Sequence, residues 1–332
     1  MRNKKSSALF GNDIGMAEQA LKNGANIECI STDNINHESM TPLQTACVKG
    51  NAEMVRLLLR YGADIHCILE YGDMTPLHMA SENGNVDIVR MLISAGASIS
   101  EECAFGTPLH VACQNSHPDA AIYLIEHGAN MWQEDPDGFT PLKLACIHNN
   151  QSLVRYMAAL MKPWELSDVL YFLCAKYNQY NSVKTLIEAG ANVVDKQHHT
   201  TTLHYAAVCH KNNMKTIQVI LDAGLSVDFA ALGGDTPLHT ACKENSPHAI
   251  QNLILCGADI NARNKAGETP IFELVKSGRA KLETLGFMKE HGADLAVTTR
   301  SGRTISDMLS YNPNKKKVME IQNWISGPQR SN

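Results

Sequence analysis

The chain has 332 residues, an apolar fraction of 44% and a formal net charge of −5. Because a single core stops growing at about 250–300 residues, this length favours several domains or one elongated array. The mild acidity offers no long-range attraction to nucleic acid or to an anionic membrane, and apolar runs such as VRLLL are too short to span a bilayer. The N-terminal stretch MRNKKSSALFGND lacks the apolar segment of a secretory signal, so we expect a cytoplasmic location or a nuclear one.

The placement of the ten cysteines argues against a disulfide framework. Four of them follow a recurring threonine by six residues, at a position that holds Ala or Ser in other copies: Cys47, Cys113, Cys146 and Cys242. Helices that correspond in neighbouring repeats should lie about 8–10 Å apart, which is too far for Cys113 to pair with Cys146. We therefore expect reduced cysteines that serve as small core residues.

A short phrase built on Thr-Pro recurs along the chain. Six copies are intact and two are degenerate: Thr41-Pro42, Thr75-Pro76, Thr107-Pro108, Thr140-Pro141, Thr236-Pro237 and Thr269-Pro270, then Thr201-Thr202 and Thr304-Ile305. Successive threonines are 34, 32, 33, 61, 35, 33 and 35 residues apart. The interval of 61 is two slightly shortened periods, so one further unit lies within it. A Gly-Ala pair, as at Gly96-Ala97, recurs with the same period.

Residues 75–97 illustrate how each unit should fold. Thr75 is a good N-cap, and Pro76 fits the first helical position, where its missing N–H costs nothing. A first short helix ends near Gly84-Asn85, and a second carries an apolar face and stops at Gly96. Neither helix can bury its apolar face alone, so neighbouring units must stack.

The period and the phrase T-P-L-H-x-A, as in 75–80 (TPLHMA), resemble the ankyrin repeat. The resemblance implies an all-α solenoid with short β-hairpin loops, in which hairpins and antiparallel helix pairs stack around a concave binding face. It covers nearly the whole chain, with about nine to ten repeats.

In chain order, we expect five segments. They are an N-terminal degenerate or capping repeat at 1–35, a first block of repeats at 36–163, a divergent repeat at 164–195, a second block at 196–298, and a C-terminal capping repeat with a tail at 299–332. In the last segment, Val318, Ile321 and Trp324 or Ile325 should face inward.

The divergent repeat keeps the helical spacing but lacks the Thr-Pro phrase. Pro163 suits a helix start, and the apolar positions that follow have helical spacing: Leu166, Val169, Leu170, Leu173 and Cys174. Aligning the helices places the Thr equivalent near Leu170, so the hairpin should be about three residues shorter than the others. We expect a notch in the row of hairpins, with Trp164 at its mouth and a local weak point. Tolerated drift without consequence is the alternative.

The histidines invite a catalytic or metal-binding interpretation that their spacing does not support. His78, His110, His204 and His239 recur once per unit, and the resemblance implies local hydrogen bonds between loop and helix. The denser group around His198-His199 and Cys209-His210 has no metal-ligand spacing and is better explained as loop residues. No phosphate-binding loop, dinucleotide-binding glycine motif or nucleophile elbow is present, so we expect no enzyme, no cofactor and no bound metal.

The resemblance implies contact positions in the hairpin before each threonine and at the end of each first helix. Apolar, aromatic and histidine side chains occupy such positions in the first units: Met40, Tyr71, Met74, Phe105, Trp132, Phe139 and His148. Such side chains are typical anchors of protein interfaces. The alternative is that they pack on neighbouring hairpins and expose little. The later polar residues, such as Asp235 and Glu268, indicate a solvated face.

These features predict a non-catalytic scaffold or adaptor that binds another protein on the concave face formed by hairpins and inner helices. The alternative is a substrate-recognition subunit of a ubiquitin ligase that recruits its adaptor in trans, since the residues after Leu309 are too few for a SOCS-like box. Separately, Leu253 precedes Asn261 by eight residues, which resembles the site that asparaginyl hydroxylases modify in ankyrin hairpins.

Overall fold

The computed structural model describes residues 6–31, 40–68, 73–310 and 315–326. Over these residues the chain is a succession of short helices, with one two-stranded sheet. This architecture confirms the predicted helical solenoid with short hairpin loops. The chain divides into two compact units, Met1–Met157 and Ala158–Asn332, which are described separately.

The first unit begins with a short 3-10 helix at Ser7–Phe10, followed by helix pairs. Its α-helices are α1 (Ile14–Lys22), α2 (Pro42–Val48), α3 (Ala52–Arg60), α4 (Pro76–Asn83), α5 (Val86–Ser94), α6 (Pro108–Gln114), α7 (Pro118–Glu126), α8 (Pro141–Ile147) and α9 (Gln151–Leu160), whose last residues pass the boundary. The even-numbered helices α2 to α8 pack side by side in one row, and α1, α3, α5 and α7 form a second row.

The second unit repeats this arrangement. Its α-helices are α10 (Pro163–Lys176), α11 (Tyr180–Glu188), α12 (Thr202–Ala207), α13 (Met214–Asp222), α14 (Pro237–Lys243), α15 (Pro247–Leu255), α16 (Pro270–Lys276), α17 (Leu282–Glu290), α18 (Ile305–Ser310) and α19 (Lys315–Ser326). Helices α10, α12, α14, α16 and α18 form one row, and α11, α13 and α15 form another. Strands β1 (Val194–Asp195) and β2 (Thr200–Thr201) are antiparallel, with Val194 opposite Thr201.

The recurring phrase forms the helix starts that its chemistry predicts. In α4, Thr75 is extended and its side chain accepts a hydrogen bond from the His78 N–H, while Pro76 occupies the first turn. The second helix of this repeat ends at Gly96, whose φ of +100° suits glycine, and the next N–H, of Ala97, closes the end by donating to the Leu92 carbonyl at 3.0 Å. The four cysteines at the repeated position are fully buried and form no disulfide, as expected.

The divergent repeat has a longer first helix than the regular repeats. Helix α10 has 14 residues and starts at Pro163, with only Met161 and Lys162 between it and α9. Its buried residues Leu170, Leu173 and Cys174 correspond to Leu142, Ala145 and Cys146 of the preceding repeat. Asp168 therefore occupies the threonine position, close to the predicted place near Leu170, and the helix extends about a turn and a half beyond it toward the N-terminus. The additional N-terminal part of α10 replaces most of the hairpin that the other repeats have at this point.

In the final helix, α19, the residues that were predicted to face inward are buried or half-buried. Ile321 is fully buried, and Val318, Trp324 and Ile325 are half-buried. Packing of α19 against α18 covers the last repeat.

Candidate partner-binding surfaces

Four histidines link the start of an inner helix to the following hairpin. In α4, the Thr75 N–H donates to His78 Nδ1 at 3.2 Å, and His78 Nε2 lies 3.1 Å from the Gly106 carbonyl oxygen. Since Nδ1 accepts from an N–H, the neutral ring carries its proton on Nε2 and donates it to that carbonyl. Burial lowers the pKa of His78 to about 4.

The bond from the ring to the following hairpin recurs at His110, His204 and His239, whose Nε2 atoms lie 3.0 Å from the carbonyl oxygens of Gln133, Asp235 and Glu268. Gln44 performs this role without an ionisable ring: its Oε1 accepts from the Thr41 N–H, and its Nε2 donates to the Met74 carbonyl. These bonds confirm the interpretation of the histidines as structural links between loop and helix.

In four of these five links, the carbonyl belongs to the residue immediately before the next threonine. Met74 offers its carbonyl to Gln44, and its side chain is only 2% exposed. The prediction of Met74 as an exposed contact residue is wrong, because its side chain is buried where its carbonyl meets Gln44 of the preceding repeat. Met40 and Phe139, at the corresponding position, are half-buried. Tyr71 lies outside the described residues.

Three other predicted residues do present surface. Phe105 is 39% exposed at the tip of a tight turn between Cys103 and Gly106, whose N–H groups and carbonyls exchange two hydrogen bonds. Trp132 is 52% exposed in the next hairpin. His148, which follows the last residue of α8, is also exposed.

Trp132 holds a position that other repeats use for a link between hairpins. Glu28, Asp228 and Asn261 follow the glycine of their Gly-Ala or Gly-Leu pair by four residues, as Trp132 does. Each of the three accepts a hydrogen bond from a backbone N–H of the following hairpin, at 2.8 to 3.1 Å. An indole cannot accept such a bond, so Trp132 departs from the linking pattern.

Sequence reasoning missed three exposed apolar residues in the hairpins. Ile30 and Ile68 are 52% and 49% exposed, and Leu232 is 66% exposed. Ile30 and Ile68 each follow the glycine of a Gly-Ala pair by six residues, and this shared offset was the signal that could have revealed them. The first unit thus carries large exposed apolar side chains in successive hairpins.

Both polar groups of the Asn261 side chain form hydrogen bonds. Its Nδ2 donates to the Gly292 carbonyl at 2.9 Å, and its Oδ1 accepts from the Asp294 N–H at 2.8 Å. Leu253, the second residue of the predicted modification motif, is fully buried in α15. The side chain of Asn261 is half-buried.

The second unit contains an aromatic and acidic cluster that the sequence reasoning did not identify. The rings of Tyr171 in α10 and Tyr205 in α12 stack with their centroids 5.0 Å apart. The buried Asp195 accepts from the Tyr205 hydroxyl at 2.8 Å and lies 2.7 Å from His198 Nδ1. Burial alone would raise the pKa of Asp195, but hydrogen bonds from His198 and Tyr205 lower it below its usual value. His198 is the loop residue that its sequence context predicted.

Within the described ranges, no three histidine, cysteine or acidic side chains come together as a set of metal ligands. Over the same residues, no helix is both long enough and apolar enough to cross a membrane.

A family model described as ankyrin repeats (three copies) matches residues 6–103, 99–164 and 171–264. Among curated relatives, the E3 ubiquitin-protein ligase KEG of Arabidopsis thaliana is 29% identical over 43% of this chain and 9% of its own length. The putative ankyrin repeat protein YahD of Escherichia coli is 28% identical over 40% of this chain and 67% of its own length. The B-cell lymphoma 3 protein homolog of Mus musculus is 29% identical over 51% of this chain and 40% of its own length.

Proposed function

We propose a protein-binding, non-catalytic function for this chain, which belongs to the ankyrin-repeat family. Ankyrin repeats generally bind other proteins, and the family is typically non-catalytic. The finer proposal is that the chain is a scaffold or adaptor whose main contact in the first unit includes Phe105, Trp132 and His148. The observation that carries it is the exposure of Trp132 at a position where three other repeats place a hydrogen-bonding link.

Exposure alone does not mark a binding site, since single apolar residues are common on protein surfaces. Trp132 is more informative because tryptophan is enriched among the few residues that dominate binding energy. Phe105 supports the same assignment, since the turn between Cys103 and Gly106 holds it at a hairpin tip. Met40 and Phe139 remain candidates at the margin of this surface, because each is half-buried.

A second candidate is recognition of substrates for a ubiquitin ligase, with the adaptor recruited in trans. The names of two relatives favour it: the ligase KEG, and the ankyrin repeat and SOCS box protein 11 of Danio rerio, which is 32% identical over 32% of this chain and 35% of its own length. The chain spans less than half the length of both relatives. What their names describe therefore supports this candidate only as a proposal.

One experiment addresses both candidates. The full chain and its Phe105→Ala and Trp132→Ala variants are used for quantitative affinity capture from the native cell, with Leu255→Ala as the control. Leu255 is 63% exposed at the end of α15, so its truncation also removes a large exposed apolar side chain. We expect the Trp132 variant to lose a partner that the control retains, since truncating a central anchor costs about 2 kcal/mol or more. Equal recovery by all variants contradicts the surface, and cullin-complex components in the eluate support the second candidate.

We also propose that Asn261 is a modification site for an asparaginyl hydroxylase. The support is the spacing of Leu253 and Asn261 together with the hairpin location of the asparagine. Co-expression with the hydroxylase followed by peptide mass spectrometry should give a mass increase of one oxygen on the peptide that contains Asn261, and none in Asn261→Asp. An unmodified peptide under these conditions contradicts the proposal.

A further inference from the structure

The lengthened helix α10 presents one face that the regular repeats do not have. Trp164, Asp168 and Tyr171 are spaced i, i+4 and i+7, so they lie along the same side of the helix. Trp164 is 61% exposed, Asp168 is exposed and Tyr171 is half-buried. The opposite side, which includes Leu166 and Leu170, is buried.

Tyr171 connects this face of α10 to the next repeat. Counting from Asp168 in the threonine position, Tyr171 stands where other repeats have the linking histidine. It stacks on Tyr205 of α12, whose hydroxyl is held by Asp195. Burial, together with the negative charges of Asp195 and Asp168, raises the pKa of Tyr171 to about 12. The phenol is therefore neutral at physiological pH, in a region of negative potential.

The other aromatic residues of this repeat already pair with cations of the chain. The amino groups of Lys176, Lys211 and Lys215 lie over the rings of Phe172, Tyr177 and Tyr180, at 5.5, 5.8 and 4.9 Å from the ring centroids. Across the part of the chain that the structure describes, no cation lies over Trp164 or Tyr171. The charged groups near Tyr171 and Tyr205 are the carboxylates Asp168 and Asp195, with His198 bonded to Asp195.

We propose that Trp164, Asp168 and the Tyr171–Tyr205 pair form a site for an arginine side chain of a partner protein. A guanidinium can stack on an aromatic face while its N–H groups donate to a carboxylate, and tryptophan is the strongest aromatic partner for a cation. Asp168 supplies the exposed carboxylate, and Trp164 supplies the exposed ring. A nucleic acid does not fit, because its phosphates would meet Asp168 and Asp195. All four residues of this site belong to the second unit, and none of them is part of the surface defined around Trp132.

The test uses a random dodecapeptide library displayed on phage, panned against the full chain and counter-selected against Trp164→Ala. The peptide that depends most on Trp164 is then synthesised in three forms, with its arginine kept, replaced by lysine or replaced by citrulline, and its affinity is measured by fluorescence anisotropy. We expect the arginine form to bind at least tenfold more weakly to Asp168→Asn and to Trp164→Ala than to the unchanged chain. Citrulline should weaken binding similarly, because it keeps the shape and removes the charge.

Leu232→Ala is the matched control, because Leu232 is a large residue of the same unit and is 66% exposed. This variant, and the first-unit variant Trp132→Ala, should bind the arginine peptide normally. The proposal is overturned if no selected peptide depends on Trp164, if the dependent peptides lack arginine and lysine, or if citrulline binds as well as arginine. Tighter binding of the lysine form would keep the cation site but overturn the choice of arginine. Failure here leaves the surface around Trp132 untouched, since the two sites are tested by different variants.

Discussion

The repeat at 75–106 and the repeat that starts with α10 connect their first helix to the next repeat in different ways. In the first, His78 ties the start of α4 to the carbonyl of Gly106 in the following hairpin. In the second, Tyr171 stands at the histidine position and uses ring stacking on Tyr205 instead of a hydrogen bond to a carbonyl. Helix packing tolerates both solutions, because the buried positions Leu170, Leu173 and Cys174 keep the common register. The difference shows that the core and the hairpin links are separable parts of a repeat.

Removing the hydrogen bonds of His78 should lower the stability of the regular repeat more than any other change proposed here. His78→Ala should leave the Thr75 N–H and the Gly106 carbonyl without their buried partner and create a small cavity, at a cost of about 3–4 kcal/mol. His78→Gln should cost much less, because Gln44 forms the corresponding bonds in its own repeat. Urea unfolding of the full chain, followed by circular dichroism, compares the two variants. Equal destabilisation by both variants would falsify the role assigned to the ring nitrogens.

The link should also make the regular repeat sensitive to acid. The folded-state pKa of His78 is about 4, below the ordinary value of 6.5, so the unfolded chain takes up a proton first as the pH falls. The contribution is fully present above pH 6.5 and is lost as the pH falls toward 4. Between pH 6.5 and pH 5 this single group should cost about 1.5 kcal/mol of stability.

The matched variant for this acid effect is again His78→Gln. Urea midpoints measured from pH 7 to pH 5 should fall more steeply for the unchanged chain than for the glutamine variant. The remaining slope in that variant belongs to the other groups, including His110, His204 and His239, whose pKa values burial also lowers. Identical slopes for both proteins would contradict a neutral, buried His78.

Hydrogen exchange compares the local stability of the divergent repeat with that of the regular repeats. Without a hairpin link, we expect the amides of residues 155–175 to exchange at least tenfold faster than those of 85–95 and 245–255, a difference of about 1.4 kcal/mol in opening free energy. Native-state exchange followed by mass spectrometry measures all three segments in one experiment. Protection of 155–175 equal to that of the reference segments would mean that the divergent repeat is tolerated drift and no weak point.

The candidate surface was only partly predictable from sequence. Phe105 and Trp132 were expected to be exposed and are, because turn residues with large side chains have little to pack against. Met74 was expected to be exposed and is buried, because its position is bonded to Gln44, 30 residues earlier, and a local sequence pattern does not describe such a contact. In the proposed arginine site, Trp164 and Tyr171 are about two helical turns apart on α10, but Tyr205 joins them only through the packing of α10 on α12.

The sequence by itself determined the family, the helix starts and the buried positions. These follow from local chemistry: threonine caps a helix, proline begins it, glycine ends it, and a period of about 33 residues forces identical units to stack. Only the tertiary structure decided which hairpin side chains face solvent and that Tyr171 stacks on Tyr205. Those outcomes depend on contacts between residues about thirty positions apart, whose geometry is set by how one repeat lies on the next and not by either repeat alone.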